Sequence, residues 1–330
     1  MRSILFAVLG IFLIIGAVEY GYRYTGGVPS ITPGKTRLEF QWEIRQIHGD
    51  RIIYFFVGDS RIDWGFADRL FTKLFNKLQD VEIQAVNAGF AGGTVKSIIE
   101  YILDNSTNIN PGVLVINFTP GSFCLFNNSP GPPISDLKLQ DYLDHRIANY
   151  LKEVLYTYDT GLRFIFKHFQ KYIRNGYIKK FAWFSRTLFC DGFVNAEAGY
   201  NDGSERVVDI SPYQNMFKKL RKNSAYFMKR MDETCNVIRK AKRLGWTVIL
   251  IRIPIGNRLM KLESELPEYF QPERVAFELS LPFIDYFSDP RTSYLPRGES
   301  HLLPYGTRKL SFMLASDISR LLMSIKVGGD

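Results

Sequence analysis

Cysteine and histidine are both scarce. The 330 residues contain only Cys124, Cys190 and Cys235, and only His48, His145, His168 and His301. The cysteines show no metal-ligand spacing, and an odd number excludes a full disulfide framework, leaving room for one bridge. The histidines are too dispersed for a metal site, so neither a metal nor an organic cofactor is expected. There is no fixed-period repeat and no low-complexity tract, which excludes solenoid and disordered classes. Acidic residues are outnumbered, 33 against 42 basic ones, for a net charge of +9. The basic residues are spread through amphipathic stretches, as at Lys218, Lys219, Arg221 and Lys222. That is the pattern of solvated helix faces, with an anionic membrane or polymer as the secondary reading. No nucleic-acid partner is expected.

Hydrophobic residues are plentiful, 46% of the chain, and suffice for a sizeable core. One run stands apart: Ile4 to Val18 carries no charge and is preceded by Arg2. At about 1.5 Å per residue it is slightly short for a bilayer core, and Tyr20, Tyr22 and Tyr24 extend it as interfacial anchors. A cleaved secretory signal has the same charge order. No small-x-small cleavage site precedes the tyrosines, so an uncleaved single-pass anchor is the preferred reading of residues 1–24. Either reading puts the rest of the chain outside the cytoplasm, periplasmic or extracellular. A linker and entry segment, residues 25–49, leads to one domain over residues 50–330.

In that domain apolar runs alternate with amphipathic stretches. Strands are predicted at Ile52–Val57, Val81–Val86, Val113–Phe118, Thr247–Ile253 and Leu281–Asp285. Helices are predicted at Asp63–Leu78, with Phe66, Leu70, Leu74 and Leu78 on one face, and at Val95–Leu103 and Gln214–Leu244. A further helical stretch, Arg258–Leu279, is broken near Pro267 and Pro272, and Tyr305–Ile325 closes the chain. Strands separated by helices imply a parallel sheet covered on both faces. Residues 125–213 interrupt the rhythm with a Pro/Gly/Asn-rich loop and an aromatic, basic, mainly helical stretch, read as an insertion.

In an open parallel sheet, ligands bind beyond the carboxyl ends of the strands. The first strand ends in Gly58-Asp59-Ser60, followed by Arg61. The second runs into Asn87-Ala88-Gly89-Phe90-Ala91-Gly92-Gly93-Thr94, read as a glycine-rich loop that exposes backbone N–H groups. Gly298-Glu299-Ser300-His301-Leu302 stands just before the last helix. A serine, a donor loop and a late histidine are the parts of acyl-transfer chemistry. Ser60 is the candidate nucleophile and His301 the candidate acid–base. Asp59 reads as a turn residue. Arg61 either contacts an anionic substrate group or pairs with a nearby acid.

On these blocks the chain resembles the SGNH (GDSL-type) hydrolase superfamily, over residues 50–124 and 236–325, and within it the membrane-anchored extracytoplasmic members. The resemblance implies a three-layer, flavodoxin-like α/β fold with a central parallel sheet, here preceded by one N-terminal transmembrane helix. It also implies a serine esterase or O-acyl(acetyl)transferase acting on an acylated glycan or lipid ester, with a membrane acyl-donor partner if the reaction is transfer. Gly58-Asp59-Ser60 matches its first block, and Gly92 matches the glycine whose N–H joins that of Ser60 in the oxyanion hole. His301 matches its catalytic histidine. Two positions depart from the pattern. Pro120 stands where the third block carries an oxyanion-donating Asn, with Asn117 lying earlier in the strand. Gly298 stands where an Asp precedes the histidine by three, with Glu299 as the acid one residue closer. A catalytically degenerate relative that binds glycan or lipid, or assists an export assembly, is the alternative these departures favour.

Overall fold

A computed structural model describes residues 44, 47, 51–90, 92–105, 110–126, 210–293, 295, 302 and 304–327. The expected membrane anchor, most of the linker and almost all of the insertion lie outside the described residues. Among the described residues no helix is long and apolar enough to cross a membrane.

Five parallel strands form one sheet: β1 (Ile52–Gly58), β2 (Ile83–Gly89), β3 (Val113–Asn117), β4 (Thr247–Arg252) and β5 (Phe283–Asp285), in the order β2-β1-β3-β4-β5. This is the doubly wound flavodoxin-like order, whose direction of winding reverses between β1 and β3. Strand β1 shows why its sequence is an unbroken apolar run. Ile53, Phe55 and Val57 pack into the core on one face of the sheet, while Tyr54 and Phe56 pack into the core on the other. A strand covered on both sides has no polar face to display.

The first face is covered by α3 (Val95–Asn105), α4 (Ser211–Lys222) and α5 (Ser224–Arg243), with α6 (Asn257–Ser264) and α7 (Pro272–Leu279) towards β4. The second is covered by α1 (Ser60–Gly65), α2 (Asp68–Gln79) and α8 (Pro304–Val327). Phe56, Phe66, Phe71 and Phe75 form its aromatic centre, with the Phe56 and Phe66 rings stacked 3.5 Å apart. Full burial of each such ring contributes about 1.5–3 kcal/mol.

Several expected elements differ in detail. The helix expected over Asp63–Leu78 is two helices, because Phe66 is extended (φ −131°, ψ 127°) and Ser311 Oγ accepts the Ala67 N–H at 3.2 Å. That break resets the helical phase, so the buried face of α2 is Phe71 and Phe75, and Leu78 is 55% exposed. The long helix expected from Gln214 is likewise divided at Asn223, a poor helix former. Residues Asn87 to Gly89, expected in a loop, continue β2, since β1 stays paired with them up to Gly58–Gly89.

Candidate active site

Strand β1 delivers Ser60 to the border with β3, where the winding reverses. Asp59 is the N-cap of α1: its Oδ1 accepts the Arg61 N–H at 3.0 Å. Its Oδ2 accepts the Thr119 hydroxyl at 2.7 Å. Thr119 in turn accepts the Ser122 N–H at 2.9 Å, with Ser122 Oγ 2.8 Å away. The turn bearing the serine is therefore braced against the segment that follows β3. Asp59 is fully engaged as a structural carboxylate.

The other end of α1 is held by a residue from β2. Asn87 Nδ2 donates to the carbonyls of Ile62, Asp63 and Phe66 at 3.1–3.2 Å, and its Oδ1 accepts the Gly89 N–H at 3.0 Å. Here the buried amide satisfies carbonyls that a six-residue helix leaves open. Close packing of α1 on β2 also fixes Gly89, where an added Cβ would lie 2.5 Å from Asp63 N and 2.8 Å from Ile62 Cβ.

Arg61 reaches from α1 to α6. Its guanidinium forms a two-point ion pair with Glu263 of α6, with Nη1 to Oε2 at 3.2 Å and Nη2 bonded to Oε1. Both side chains are buried, 6% and 4% exposed. Burial alone lowers the guanidinium pKa. The charge and hydrogen bonds of Glu263, with Asp59 and Tyr213 behind them, outweigh it and raise the pKa above the ordinary value. Of the two roles open to Arg61 on sequence, the structure shows the pairing with an acid.

After β3 the chain turns through a short π-helix, Gly121–Leu125, closed by the Phe126 N–H donating to the Gly121 carbonyl at 2.9 Å. Such turns occur often at functional sites. Asp59, Ser60, Arg61 and Glu263 form one side of an open cleft of about 20 Å³, room for about one water. Thr119, Gly121 and Phe126 form another side, and Tyr213 and Met216 of α4 close it.

The remaining expected residues separate. Gly92 lies in a turn with φ +67°, a conformation that favours glycine, and is not among the residues lining the cleft. Asn117 is fully buried under α1. Its Oδ1 accepts the Ile253 N–H at 3.0 Å, tying β3 to the end of β4, and its Nδ2 has no hydrogen-bond partner. Pro120 N-caps the π-helix and has no N–H to donate. Gly298, Glu299 and His301 lie outside the described residues. Leu302, next in the chain to His301, is buried in the α1/α8 face of the core, 4.0 Å from the Cβ position at Gly65. Cys124, in the π-helix, offers no rival nucleophile, since burial pushes its thiol up to about 12. No cluster of metal-ligating side chains occurs among the described residues.

Glu263 and Asn87 were not anticipated. Glu263 shares the buried face of α6 with Leu259, and an acid at helical spacing from a core leucine was its available signal. The signal for Asn87 was a polar residue set between Val86 and Ala88 in a strand-like run.

The molecule is thus an open parallel α/β protein with a small polar cleft and a serine at its topological switch point. No family model and no curated protein matches the chain. Among solved structures it is similar to a lipase/acylhydrolase from Enterococcus faecalis, at 14% sequence identity and a TM-score of 0.41. That match covers 81% of this chain and 95% of the other, a likeness too distant to bear on this chain's chemistry.

Proposed function

We propose that the chain is a serine-dependent acyl-transfer enzyme of the SGNH type, an esterase or O-acyltransferase for an acylated cell-surface glycan or lipid. In this reading residues 1–24 anchor it in the membrane with the α/β domain outside the cytoplasm. The observation that carries the reading is the position of Ser60. It is the first residue of α1, at the carboxyl end of β1, beside β3, and it lines an open cleft.

Ser60 Oγ attacks the ester carbonyl while its proton passes to His301. The ester C–O bond then breaks, and the departing alcohol takes that proton. Water, or an acceptor alcohol in a transferase, removes the acyl group from Ser60 by the reverse sequence. The Ser60 N–H holds the oxyanion, Gly92 standing outside the cleft lining, and Glu299 orients the imidazole. Full-length protein in detergent should release p-nitrophenol from p-nitrophenyl acetate, and Ser60→Ala should lower the rate by about 10³-fold or more. Unchanged turnover in Ser60→Ala would rule out this nucleophile.

A second reading is a degenerate relative that binds ester-bearing glycan or lipid without turnover. Pro120 at the third block, which has no N–H to donate, favours it. Failure of a fluorophosphonate to label Ser60 in folded protein would support that reading over the enzyme.

A further inference from the structure

Charge changes sign across the mouth of the cleft. The ionisable side chains lining it among the described residues include Asp59 and Glu263 against Arg61, a formal excess of one negative charge. Such a lining suits a neutral acyl ester at Ser60 and disfavours an anionic group there. Immediately outside, residues 211–231 contain Lys218, Lys219, Arg221, Lys222, Lys229 and Arg230 and no Asp or Glu, out of a net +9 for the chain.

These cations adjoin the cleft directly. Tyr213 and Met216 of α4 line it, and Phe217 and Leu220 of the same helix are buried in the core. The remaining face carries exposed Lys218, Lys219, Arg221 and Lys222, and the exposed Lys229 follows on α5. None of these lysines forms an ion pair among the described residues. Arg230 donates to the carbonyl of Phe126, a cleft residue, and lies 5.9 Å from the ring of Tyr226, which is 57% exposed. Asp232 and Glu233 follow directly, and Lys96 first, then Lys229 and Arg230, hold the Glu233 carboxyl below its ordinary value, so the open positive face is chiefly Lys218, Lys219 and Lys222 of α4. An exposed aromatic beside such lysines is a surface for sugar rings that bear carboxylates. A helix that lies on a membrane presents an apolar face outward. The apolar face of α4 is already covered by the sheet side of the molecule.

We propose that α4 and the start of α5 bind an acidic glycan, whose neutral ester enters the cleft while its charged residues follow the lysines. This names the substrate class of the proposed reaction, an acylated polyanionic polysaccharide, and so rests on the reading of Ser60 as an acyl-transfer serine. The binding itself depends only on the surface. Neutralising polymer charges releases counterions, so affinity falls with salt. Three such contacts correspond to roughly a twenty- to fortyfold loss between 50 and 200 mM at nucleic-acid charge density.

The test measures binding of full-length protein to fluorescein-labelled polygalacturonate at both salt concentrations. Neutral dextran, vesicles containing phosphatidylserine and oligodeoxythymidine serve as competitors. The combined variant Lys218→Gln, Lys222→Gln, Lys229→Gln should lose about tenfold in affinity and most of the salt dependence. The matching Lys→Arg variant should keep both. Unchanged binding in the Gln variant overturns the proposal, as does dextran, vesicle or oligonucleotide binding as tight as that of the polyuronate. The p-nitrophenyl acetate assay separates the two readings. Lysine-dependent polymer binding without Ser60-dependent hydrolysis supports the surface and rejects the esterase. Hydrolysis with lysine-independent polymer binding does the reverse.

Discussion

The Arg61–Glu263 pair offers the most quantitative test of how the serine turn is held. With Nη1 and Oε2 3.2 Å apart, Coulomb attraction at an effective dielectric constant of about 20 amounts to roughly 5 kcal/mol. Both groups have been taken out of water, so the desolvation of two ions offsets most of that gain. Glu263→Leu removes the attraction and leaves the guanidinium, 6% exposed, without its partner. The expected cost is about 3–5 kcal/mol, a large share of the ~5–15 kcal/mol that stabilises an ordinary domain. Arg61→Met should cost a similar amount for the converse reason. The double variant should recover most of the loss, because neither charge is then buried. Urea unfolding followed by tryptophan fluorescence, to which the buried Trp246 contributes, reads all four species, and the coupling energy should exceed about 2 kcal/mol. Single variants costing under about 1 kcal/mol, or a double variant costing the sum of the two, would refute a tightly paired, desolvated bridge between α1 and α6.

Two further outcomes follow from the same geometry. Asn87→Leu strips the donor from three carbonyls of α1 and should cost about 1–3 kcal/mol in thermal or urea unfolding, and Asn87→Asp should not restore it, since a carboxylate cannot donate. Burial raises the Asp285 pKa, but the hydrogen bonds and charge of Arg252 outweigh it and leave the carboxyl below its ordinary value. Its contribution to stability is therefore complete above the unfolded-state value near 4 and is lost as pH falls through the lower folded value. Arg252→Met removes the partner that lowers the Asp285 pKa most and leaves burial to raise it, so this acid-linked loss should largely disappear, and the urea midpoint should fall less steeply below about pH 5 than in the parent.

The sheet was legible because its strands are buried on both faces, so Ile52–Val57, Val113–Phe118 and Thr247–Ile253 read as unbroken apolar runs bounded by polar turns. Helix phase was less legible. A two-residue extended break at Phe66 and Ala67 leaves the composition of the segment unchanged, yet it turns Leu78 outward and Phe75 inward. Position along the chain placed Ser60 beside the cleft, because in a parallel sheet the residue after β1 lies at the carboxyl edge whatever its neighbours do. The partners that fix it were not legible for the opposite reason. Glu263 lies 202 residues from Arg61, and its helical spacing from Leu259 marks an inward-facing acid without telling which cation it meets. Pairing of β3 with β4 presents the Asn117 amide oxygen to the Ile253 N–H and leaves its Nδ2 buried and unpartnered, a consequence of register that no local pattern encodes.

The segment after β3 bears on how fast such a site can turn over. In the pattern this chain resembles, that segment supplies a side-chain donor to the oxyanion. Here Pro120 has no N–H, and Thr119 directs its hydroxyl to Asp59 and receives the Ser122 N–H. The π-helix then brings Phe126 against Gly121, where an added Cβ would meet the ring at 2.5 Å, so the segment is closely packed. Thr119, one residue before the Pro120 position that would otherwise stabilise charge, braces the serine turn. Removal of one oxyanion donor costs about 10²–10³ in rate. On the proposed reading of Ser60 as nucleophile, turnover should be slow and should depend on how rigidly α1 is held. Arg61–Glu263, Asp59–Thr119 and Asn87 fix that helix from α6, from the segment after β3 and from β2. Loosening any of them should therefore reduce turnover more than it weakens ester binding, a difference that kcat measured separately from KM would reveal.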